Sequence, residues 1–485
     1  MCSSDLSPGA AVGLAALGGS VSTTGAKRSL AISTVPVSGS GGAITLGQFG
    51  DTVGGQLGVL TLDTVGAGSS IAGSLTLLKG LAIGGLTLAS AGTVVVGAPI
   101  RIDSPGGDVL LGGTSVETAA SVVTAGAPGA SLTIVTAKTV ASGKVAFGVV
   151  GNAGGAYLAG LVVDAGIDGV PAIVRLNGRV SVAGDVVLDG TVVVPATRGI
   201  DTNKGTVPGV ARIAISAGSL SASTGGVMLD IVTELAGKAG GAVALGPVGN
   251  AGGAFLQAIS MKTRGYDAGS TPGSLTLSGN IQLEGSTSPA VLAYDAGNQA
   301  GAKVIVVGVV TIDTAVNAAT GGAVYLGSGD TSARATITAD ASGAELSIIT
   351  DASSQGGDVV FGKADGTGGD WLESFTINAG TQAVIDGTIV TNSGLIGTSN
   401  GNGISITGTL NLVVSTTLDT HDASDPAGGG PVTLTGLVSA RSTGLGLVID
   451  AGSTAPGQSG GDRKSTRLNS SHANYLVCRL LLEKK

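Results

Sequence analysis

The sequence predicts an all-β protein built as a parallel β-helix, also called a β-solenoid. Three observations predict this fold: a glycine-led strand phrase that recurs seven times, a longer repeat of about 24 residues around it, and a near absence of helix signals. A unit of this length cannot bury its own apolar face and must stack on its neighbours. The chain is therefore expected to be a stack of short strands.

The phrase joins two small residues, mostly glycines, to a strand whose fourth and sixth positions are apolar. Its copies span residues 41–47, 106–112, 142–148, 240–246, 321–327, 356–362 and 429–435. Side chains alternate across a strand, so these two positions are expected in the core and the residue between them outside. For four copies the predicted core residues are Val145, Phe147, Val243, Leu245, Val324, Leu326, Val359 and Phe361.

The repeat continues beyond the phrase. An aromatic residue followed by leucine stands fifteen residues after the start of three copies, at Tyr157, Phe255 and Trp371. A second strand follows, at 161–163 in one copy and 375–377 in another. The unit thus consists of a strand, a glycine turn, an aromatic residue, a second strand and a second turn.

Helix-favouring residues are scarce, and glycine interrupts almost every window of ten residues. Strands this short and numerous permit a parallel β-helix or a string of β-sandwiches. The β-helix is favoured because the units are too short to close a sandwich and because small residues can stack in register along its axis.

Both termini differ from the rest of the chain. Residues 462–485 contain six of the 24 Lys and Arg residues and resemble the translation of a sequencing adapter, as do residues 1–6. We expect both segments to be artefacts without a role in the fold, although a genuine basic tail is the alternative. The predicted biological segment is a single β-solenoid region, 7–461. It contains no cysteine, because Cys2 and Cys478 lie outside it.

Charge and hydropathy exclude several function classes. The chain has a formal net charge of −8 and no basic stripe, which argues against binding to nucleic acid. Its apolar runs are much shorter than the roughly 20 residues of a membrane-spanning helix. We expect neither a nucleic-acid partner nor a transmembrane segment.

Three stretches together resemble the repeat regions of large bacterial surface proteins: Gly-Gly-Asp-Val-Val-Phe-Gly at 356–362, Phe-Thr-Ile-Asn-Ala-Gly at 375–380 and Val-Val-Leu-Asp-Gly-Thr-Val at 186–192. The similar families are the filamentous-haemagglutinin-like and autotransporter-passenger adhesins. The resemblance implies a right-handed β-helical shaft, an extracellular or cell-surface location associated with the bacterial outer membrane, and contact with host cells, neighbouring cells or glycans. It implies no functional residues, because the shaft repeats contain none.

The densest acidic cluster is the stretch that contains Asp419, His421, Asp422 and Asp425. Three carboxylates and a histidine suit a metal site. Pro426 and the glycines after it favour a polar loop instead, so no metal ligand is predicted there.

Two other patterns are also interpreted as structural and not as binding sites. Residues 366–372 partly match a calcium-binding nonapeptide, but no adjacent copy supplies the remaining oxygens. Tyr157, Phe255 and Trp371 suit either a row that stacks on sugars or a packing stack, and a shared position in a repeat favours packing. The sequence therefore predicts no catalytic residue, no metal site and no cofactor.

Two functions remain. The first is a non-enzymatic structural shaft of a secreted or surface-attached adhesin-like protein. The second is a carbohydrate-active β-helix, a polysaccharide lyase or hydrolase, which needs carboxylates and basic residues that converge on one groove. Carboxylate clustering on the coil surface distinguishes them.

Overall fold

The computed structural model describes most of the chain between residues 12 and 465. The described residues are 12–14, 20–21, 27–36, 38–50, 56–66, 72–89, 92–137, 142–151, 156–166, 172–204, 211–235, 237–265, 270–285, 292–297, 301–316, 319–327, 335–366, 370–391, 403–420, 429–451 and 463–465. They contain strands and no helix. The chain divides into two compact units: unit 1 comprises 1–233 and 250–254, and unit 2 comprises 234–249 and 255–485.

Unit 1 contains the first 21 strands. They are β1 Val12–Leu14, β2 Ser20–Val21, β3 Leu30–Ser33, β4 Ile44–Leu46, β5 Gln48–Phe49, β6 Leu57–Asp63, β7 Leu75–Leu77, β8 Leu81–Leu88, β9 Thr93–Val96, β10 Ile100–Asp103, β11 Val109–Leu111, β12 Val122–Ala125, β13 Ser131–Val135, β14 Val145–Phe147, β15 Gly160–Asp164, β16 Ile173–Leu176, β17 Val180–Ser181, β18 Val186–Val194, β19 Arg198–Asp201, β20 Ile213–Ala222 and β21 Met228–Val232.

Unit 2 contains the remaining strands. They are β22 Val243–Leu245, β23 Ala258–Lys262, β24 Leu275–Leu277, β25 Ile281–Glu284, β26 Leu292–Asp295, β27 Lys303–Val306, β28 Val309–Val316, β29 Val324–Gly327, β30 Thr336–Ala339, β31 Glu345–Ile349, β32 Val359–Phe361, β33 Lys363–Ala364, β34 Ser374–Ile385, β35 Ile389–Val390, β36 Ile404–Leu412, β37 Thr416–Asp419, β38 Val432–Thr435, β39 Val438–Ala440, β40 Leu447–Asp450 and β41 Arg463–Ser465.

Three parallel sheets form unit 2. The first runs β22-β24-β27-β30-β33-β35-β37-β40. The second runs β25-β28-β31-β34-β36-β38-β41. The third runs β23-β26-β29-β32-β34-β36-β39. Each turn of the chain adds one strand to each sheet, which is the architecture of a parallel β-helix.

Unit 1 has the same plan. Strands β3-β6-β8-β11-β14-β16-β18-β20 form one sheet. Strands β2-β5-β8-β10-β13-β15-β18-β20 form another. A third contains β1-β4-β7-β9-β12, with β17-β19-β21 further along the chain. Each unit is thus a β-solenoid, and the described strands of the two units make up about 12 turns, which confirms the predicted all-β class. The right hand of the winding and the continuity of 7–461 stay predictions.

The turns are longer than the sequence repeat predicted. Hydrogen bonds across neighbouring turns join residues 30 apart, from the Val59 backbone N–H to Ser29 Oγ, and 31 apart, from Arg264 Nε to Asp295 Oδ2. The 24-residue spacing occurs in a short turn, between Asp358 and Gln382. The predicted unit was too short because it counted two strands, whereas most turns carry a strand in each of three sheets.

The predicted core register is confirmed. All eight residues predicted to lie in the core are at most 1% exposed. Three of the four residues between them, Ala244, Tyr325 and Val360, are half-buried on the outer side. For the fourth residue, Ala146, the prediction of an outward position is wrong, because Ala146 is fully buried.

A loop covers Ala146 from outside. Ala146 packs with Leu110, Val116 and Ala119 in a small cluster on the outer side of the sheet. The Asn177 side-chain amide holds this loop by donating hydrogen bonds to the carbonyl oxygens of Val116 and Ala119, both at 2.8 Å. The outer side of a strand is thus buried where a long loop folds back over it.

The tail also departs from expectation at one point. We expected 462–485 to contribute nothing to the fold, but Arg463–Ser465 forms β41, paired in parallel with β38. The rest of that segment, and residues 1–6, lie outside the described residues. Their identification as artefacts stays a prediction.

Candidate functional site

The glycine phrases are held by buried hydroxyl groups at the corners of the turns. In unit 1, Thr136 Oγ1 donates to the carbonyl oxygen of Gly143 at 2.6 Å. In unit 2, Thr350 Oγ1 does the same to Gly357, also at 2.6 Å. The other pairs of this kind are Thr34 with Gly42, Thr64 with Gly73, Ser104 with Gly107, Thr263 with Gly273, Thr314 with Gly322 and Thr420 with Gly430. These polar groups close corners and are not accessible to a ligand.

One buried charge stands out in unit 1. Asp201 is 1% exposed and is the only charged side chain in the described part of the chain that is this deeply buried. Its Oδ2 lies 2.6 Å from Arg179 Nη2 and 2.9 Å from Lys204 Nζ, and its Oδ1 accepts the backbone N–H of Asn203. A buried carboxylate with two cations and an amide donor is fully compensated, which is a structural arrangement.

Other charged side chains pair locally. Arg101 lies 2.8 Å from Asp103, Arg212 lies 3.3 Å from Asp185, and Arg264 pairs with Asp295. No group of three or more metal-ligating side chains occurs among the residues the structure describes. These cations therefore neutralise neighbouring acids within the described surface.

Carboxylates lie in register across neighbouring turns at two places in the described structure, Asp164 with Asp189 and Asp419 with Asp450. Asp164 in β15 and Asp189 in β18 are in register on adjacent parallel strands. Adjacent strands lie about 4.8 Å apart, and in-register side chains share a face. Sequence reasoning missed this pair because the two residues belong to different turns. A signal existed, since in both cases the Asp directly follows an apolar strand.

The loop proposed and rejected as a metal site is only partly described. Asp419 ends β37, in register with Val390 and Asp450 on neighbouring strands. His421, Asp422 and Asp425 lie outside the described residues, so the prediction of a polar loop stays a prediction. Of 366–372, residues 367–369 lie outside the described residues, so the prediction that this stretch binds no calcium stays a prediction. A Cβ atom placed on Gly366 would clash with the Trp371 indole at 2.6 Å.

The shared aromatic residues are not core residues. Tyr157, Phe255 and Trp371 are all half-buried. The leucines after them are at most 2% exposed and enter the core: Leu158, Leu256 and Leu372. The leucine is the packing residue of this motif, and the only ring pair recorded within the described residues is Phe361 with Phe375.

Unit 2 carries a mixed polar and apolar surface that sequence reasoning also missed. We call it the lateral face and define it as Tyr325, Asp358, Val360, Gln382 and Asn411. Asp358 Oδ2 accepts a hydrogen bond from Gln382 Nε2 at 3.1 Å. Gln382 Oε1 in turn accepts one from Asn411 Nδ2 at 3.4 Å. Three polar side chains from three consecutive turns therefore form a connected column.

An apolar column runs beside the polar one. Tyr325 is in register with Val360 on the next strand, and Val360 is in register with Val384. The column ends where Val384 is in register with the polar Asn411. Burial, and to a lesser extent the charge of Asp358, raises the pKa of Tyr325. The tyrosine is therefore half-covered and close to the carboxylate. Tyr325 and Asp358 occupy the fifth and third positions of the glycine phrase, which the sequence marks as outward-facing.

Comparison with family models, with curated proteins and with solved structures gives no match for this chain. No helix in the described part is long and apolar enough to cross a membrane.

Proposed function

We propose that the chain is the structural shaft of a secreted or surface-attached bacterial adhesin-like protein, and that it is not an enzyme. The observation that carries the proposal is how the polar groups are used. Buried hydroxyls close the corners, the buried carboxylate is doubly paired, and most outward positions carry small or β-branched residues. This composition suits a stiff support between other modules.

The exported bacterial setting is supported by the resemblance of the phrases at 356–362, 375–380 and 186–192 to adhesin repeats. In that setting the chain would project a distal module and contact host cells, neighbouring cells or glycans along its length. It would be located outside the cell or on its surface.

Two measurements test the proposal: assays for polysaccharide cleavage and forced unfolding of the chain. The purified chain is incubated with pectate, alginate, xylan and β-glucan, and new reducing ends and unsaturated uronates are measured. We expect neither product. Pulling the chain by its ends in a force microscope should give several successive unfolding steps, because each turn is stabilised mainly by its neighbours. Measurable polysaccharide cleavage would contradict the shaft.

The second candidate is a carbohydrate-active enzyme, favoured by the Asp164 and Asp189 pair. Glycosidases use two carboxylates on opposite sides of the scissile bond, as general acid and as nucleophile or base. If this candidate is right, cleavage is detected in the assays above and is abolished by the double variant D164N/D189N. The matched control is D103N, which alters a carboxylate already paired with Arg101 on the same surface.

A further inference from the structure

We propose that the lateral face of unit 2 binds an uncharged polysaccharide chain. This inference rests on the proposed function, because it names the class of glycan that the side of the shaft would contact. It uses the five side chains of the lateral face, whose positions are fixed by strands β29, β32, β34 and β36 and the turns next to them.

The polar column has the hydrogen-bonding capacity that sugar hydroxyls need. A hydroxyl both donates and accepts, a carboxylate accepts at several sites, and a side-chain amide has two N–H donors and an acceptor oxygen. The bonds from Gln382 to Asp358 and from Asn411 to Gln382 use only part of this capacity. They also fix the three side chains in place, which lowers the entropy lost when a ligand binds.

One polar atom of the polar column is left without a partner. The Oδ1 atom of Asn411 is buried and has no hydrogen-bond partner in the described structure. Ser142 Oγ and Thr202 Oγ1 are unpaired in the same way outside the lateral face, so this atom by itself does not mark a site. It shows that the polar column has acceptor capacity that its own hydrogen bonds do not use.

The apolar column supplies the complementary surface. Tyr325 and Val360 lie side by side in register, next to the polar column. A tyrosine offers a flat apolar ring with a polar tip, and sugar rings have an apolar face of C–H groups that packs on such a surface. A glycan that lies along the solenoid axis would thus contact both columns at once.

Charge and size select this occupant. Asp358 is the only formal charge on the lateral face, and the chain as a whole has a net charge of −8, so uronate-rich or sulfated glycans are repelled. Four strands at a spacing of about 4.8 Å give a site about 15 Å long. That length suits a few sugar units. The five side chains of the lateral face are all half-buried, so together they expose far less than the roughly 800 Å² per partner of a standard protein interface. The internal strands are paired on both sides, so a peptide cannot bind by strand addition.

Isothermal titration calorimetry of the full chain with cellohexaose, laminarihexaose and mannohexaose tests the proposal, with a heparin hexasaccharide as the anionic comparison. We expect at least one neutral hexasaccharide to bind and heparin not to bind. Tyr325→Ala and Gln382→Ala should each weaken that binding by about tenfold or more. Tyr325→Phe, which keeps the ring, should retain most of the affinity and checks that the fold survives. Tyr157→Ala, at a half-buried tyrosine in unit 1, is the matched control and should leave the affinity unchanged.

The proposal is overturned if no neutral hexasaccharide binds, if heparin binds in their place, or if Tyr325→Ala and Gln382→Ala bind as the parent does. The proposal is also overturned if these two substitutions abolish binding of a protein partner and leave glycan binding unchanged. Failure here is separable from failure of the shaft. Cleavage of polysaccharides contradicts the shaft, whereas missing calorimetric heat without cleavage contradicts only the glycan site.

Discussion

Buried threonine hydroxyls are the main polar feature at the scale of single residues. In a core of Val, Ile and Leu, a hydroxyl is tolerated only if it is hydrogen-bonded. Thr136, for example, is fully buried and donates to the carbonyl oxygen of Gly143. The bond ties the end of one strand to the start of the next phrase, seven residues later.

Replacing Thr136 by valine tests this role. The shapes of the two side chains match, so the variant removes the donor and leaves the Gly143 carbonyl oxygen poorly satisfied. We expect a loss of about 1–2 kcal/mol of unfolding free energy, measured by urea denaturation. Thr133→Val is the control, because Thr133 is half-buried on the outer side of β13, and it should change stability by less than about 0.5 kcal/mol. Equal effects of the two variants would contradict the role of the hydroxyl.

Tyr294 gives unit 2 a dependence on alkaline pH. Its ring is 1% exposed, and its hydroxyl donates to the carbonyl oxygen of Gly273. Burial raises the pKa of Tyr294 to about 12. An unfolded tyrosine loses its proton near pH 10, so above that pH the native state binds more protons than the unfolded state. The contribution is complete below pH 10 and is lost as the pH rises to about 12.

We therefore expect Tyr294→Phe to flatten the fall in stability between about pH 10 and pH 12 by about 2–3 kcal/mol. At neutral pH the variant should be less stable by about 1 kcal/mol, because the hydrogen bond is lost. Denaturation curves at a series of pH values measure both effects. Tyr157→Phe serves as the control. A parallel pH profile for parent and Tyr294→Phe would show that Tyr294 does not titrate in this window.

At the scale of elements, neighbouring turns approach so closely that only glycine fits between them. A Cβ atom placed on Gly143 would lie 1.9 Å from the carbonyl oxygen of Gly107. One placed on Gly107 would lie 1.6 Å from the carbonyl oxygen of Gly84. The second residues of these two phrases thus stack on each other and on Gly84. The two-glycine start of the phrase reflects this contact as much as the turn itself.

Gly143→Ala should therefore be severely destabilising. The obstructing atom is backbone, which cannot move without disturbing the adjacent strand, so we expect a loss of about 3 kcal/mol or more. Gly13→Ala is the control in the same unit, because nothing lies within 4 Å of a Cβ at Gly13. Thermal melting followed by circular dichroism measures both. A melting temperature for Gly143→Ala equal to that of Gly13→Ala would contradict the close contact.

At the scale of the whole molecule, the stability of a solenoid is a sum of local terms, because each turn contacts only its neighbours. Changes at one strand are expected to alter local opening more than the global transition. The pairing of β41 with β38 allows local opening and global unfolding to be measured separately.

Deleting 462–485 should leave the melting temperature unchanged within about 1 °C, since three residues of pairing are a small part of the total. Amide exchange at residues 432–435 should become faster, because β38 loses its outer partner. Deleting only 466–485 is the control and should change neither quantity. A large drop in melting temperature after the longer deletion would show that β41 is an essential cap and that this part of the tail belongs to the fold.

The sequence alone determined the all-β class, the strand positions of the phrase and which side chains enter the core. These properties follow from local alternation, which is set within a few residues of chain: Val359 and Phe361 are buried and Val360 is not, as the pattern predicts. The outward position of Tyr325 follows from the same rule.

Tertiary structure decided the properties that depend on distant residues. Ala146 is buried because Asn177 holds the loop that covers it. Asn177 lies 61 residues from Val116 and 58 residues from Ala119, the two loop residues to which it bonds. The length of each turn depends on a third strand that the repeat did not reveal. Asp358, Gln382 and Asn411 form a column only because three turns of unequal length stack in register. Alternation specifies the face on which a side chain lies, but only the stacking of turns specifies its neighbours on that face.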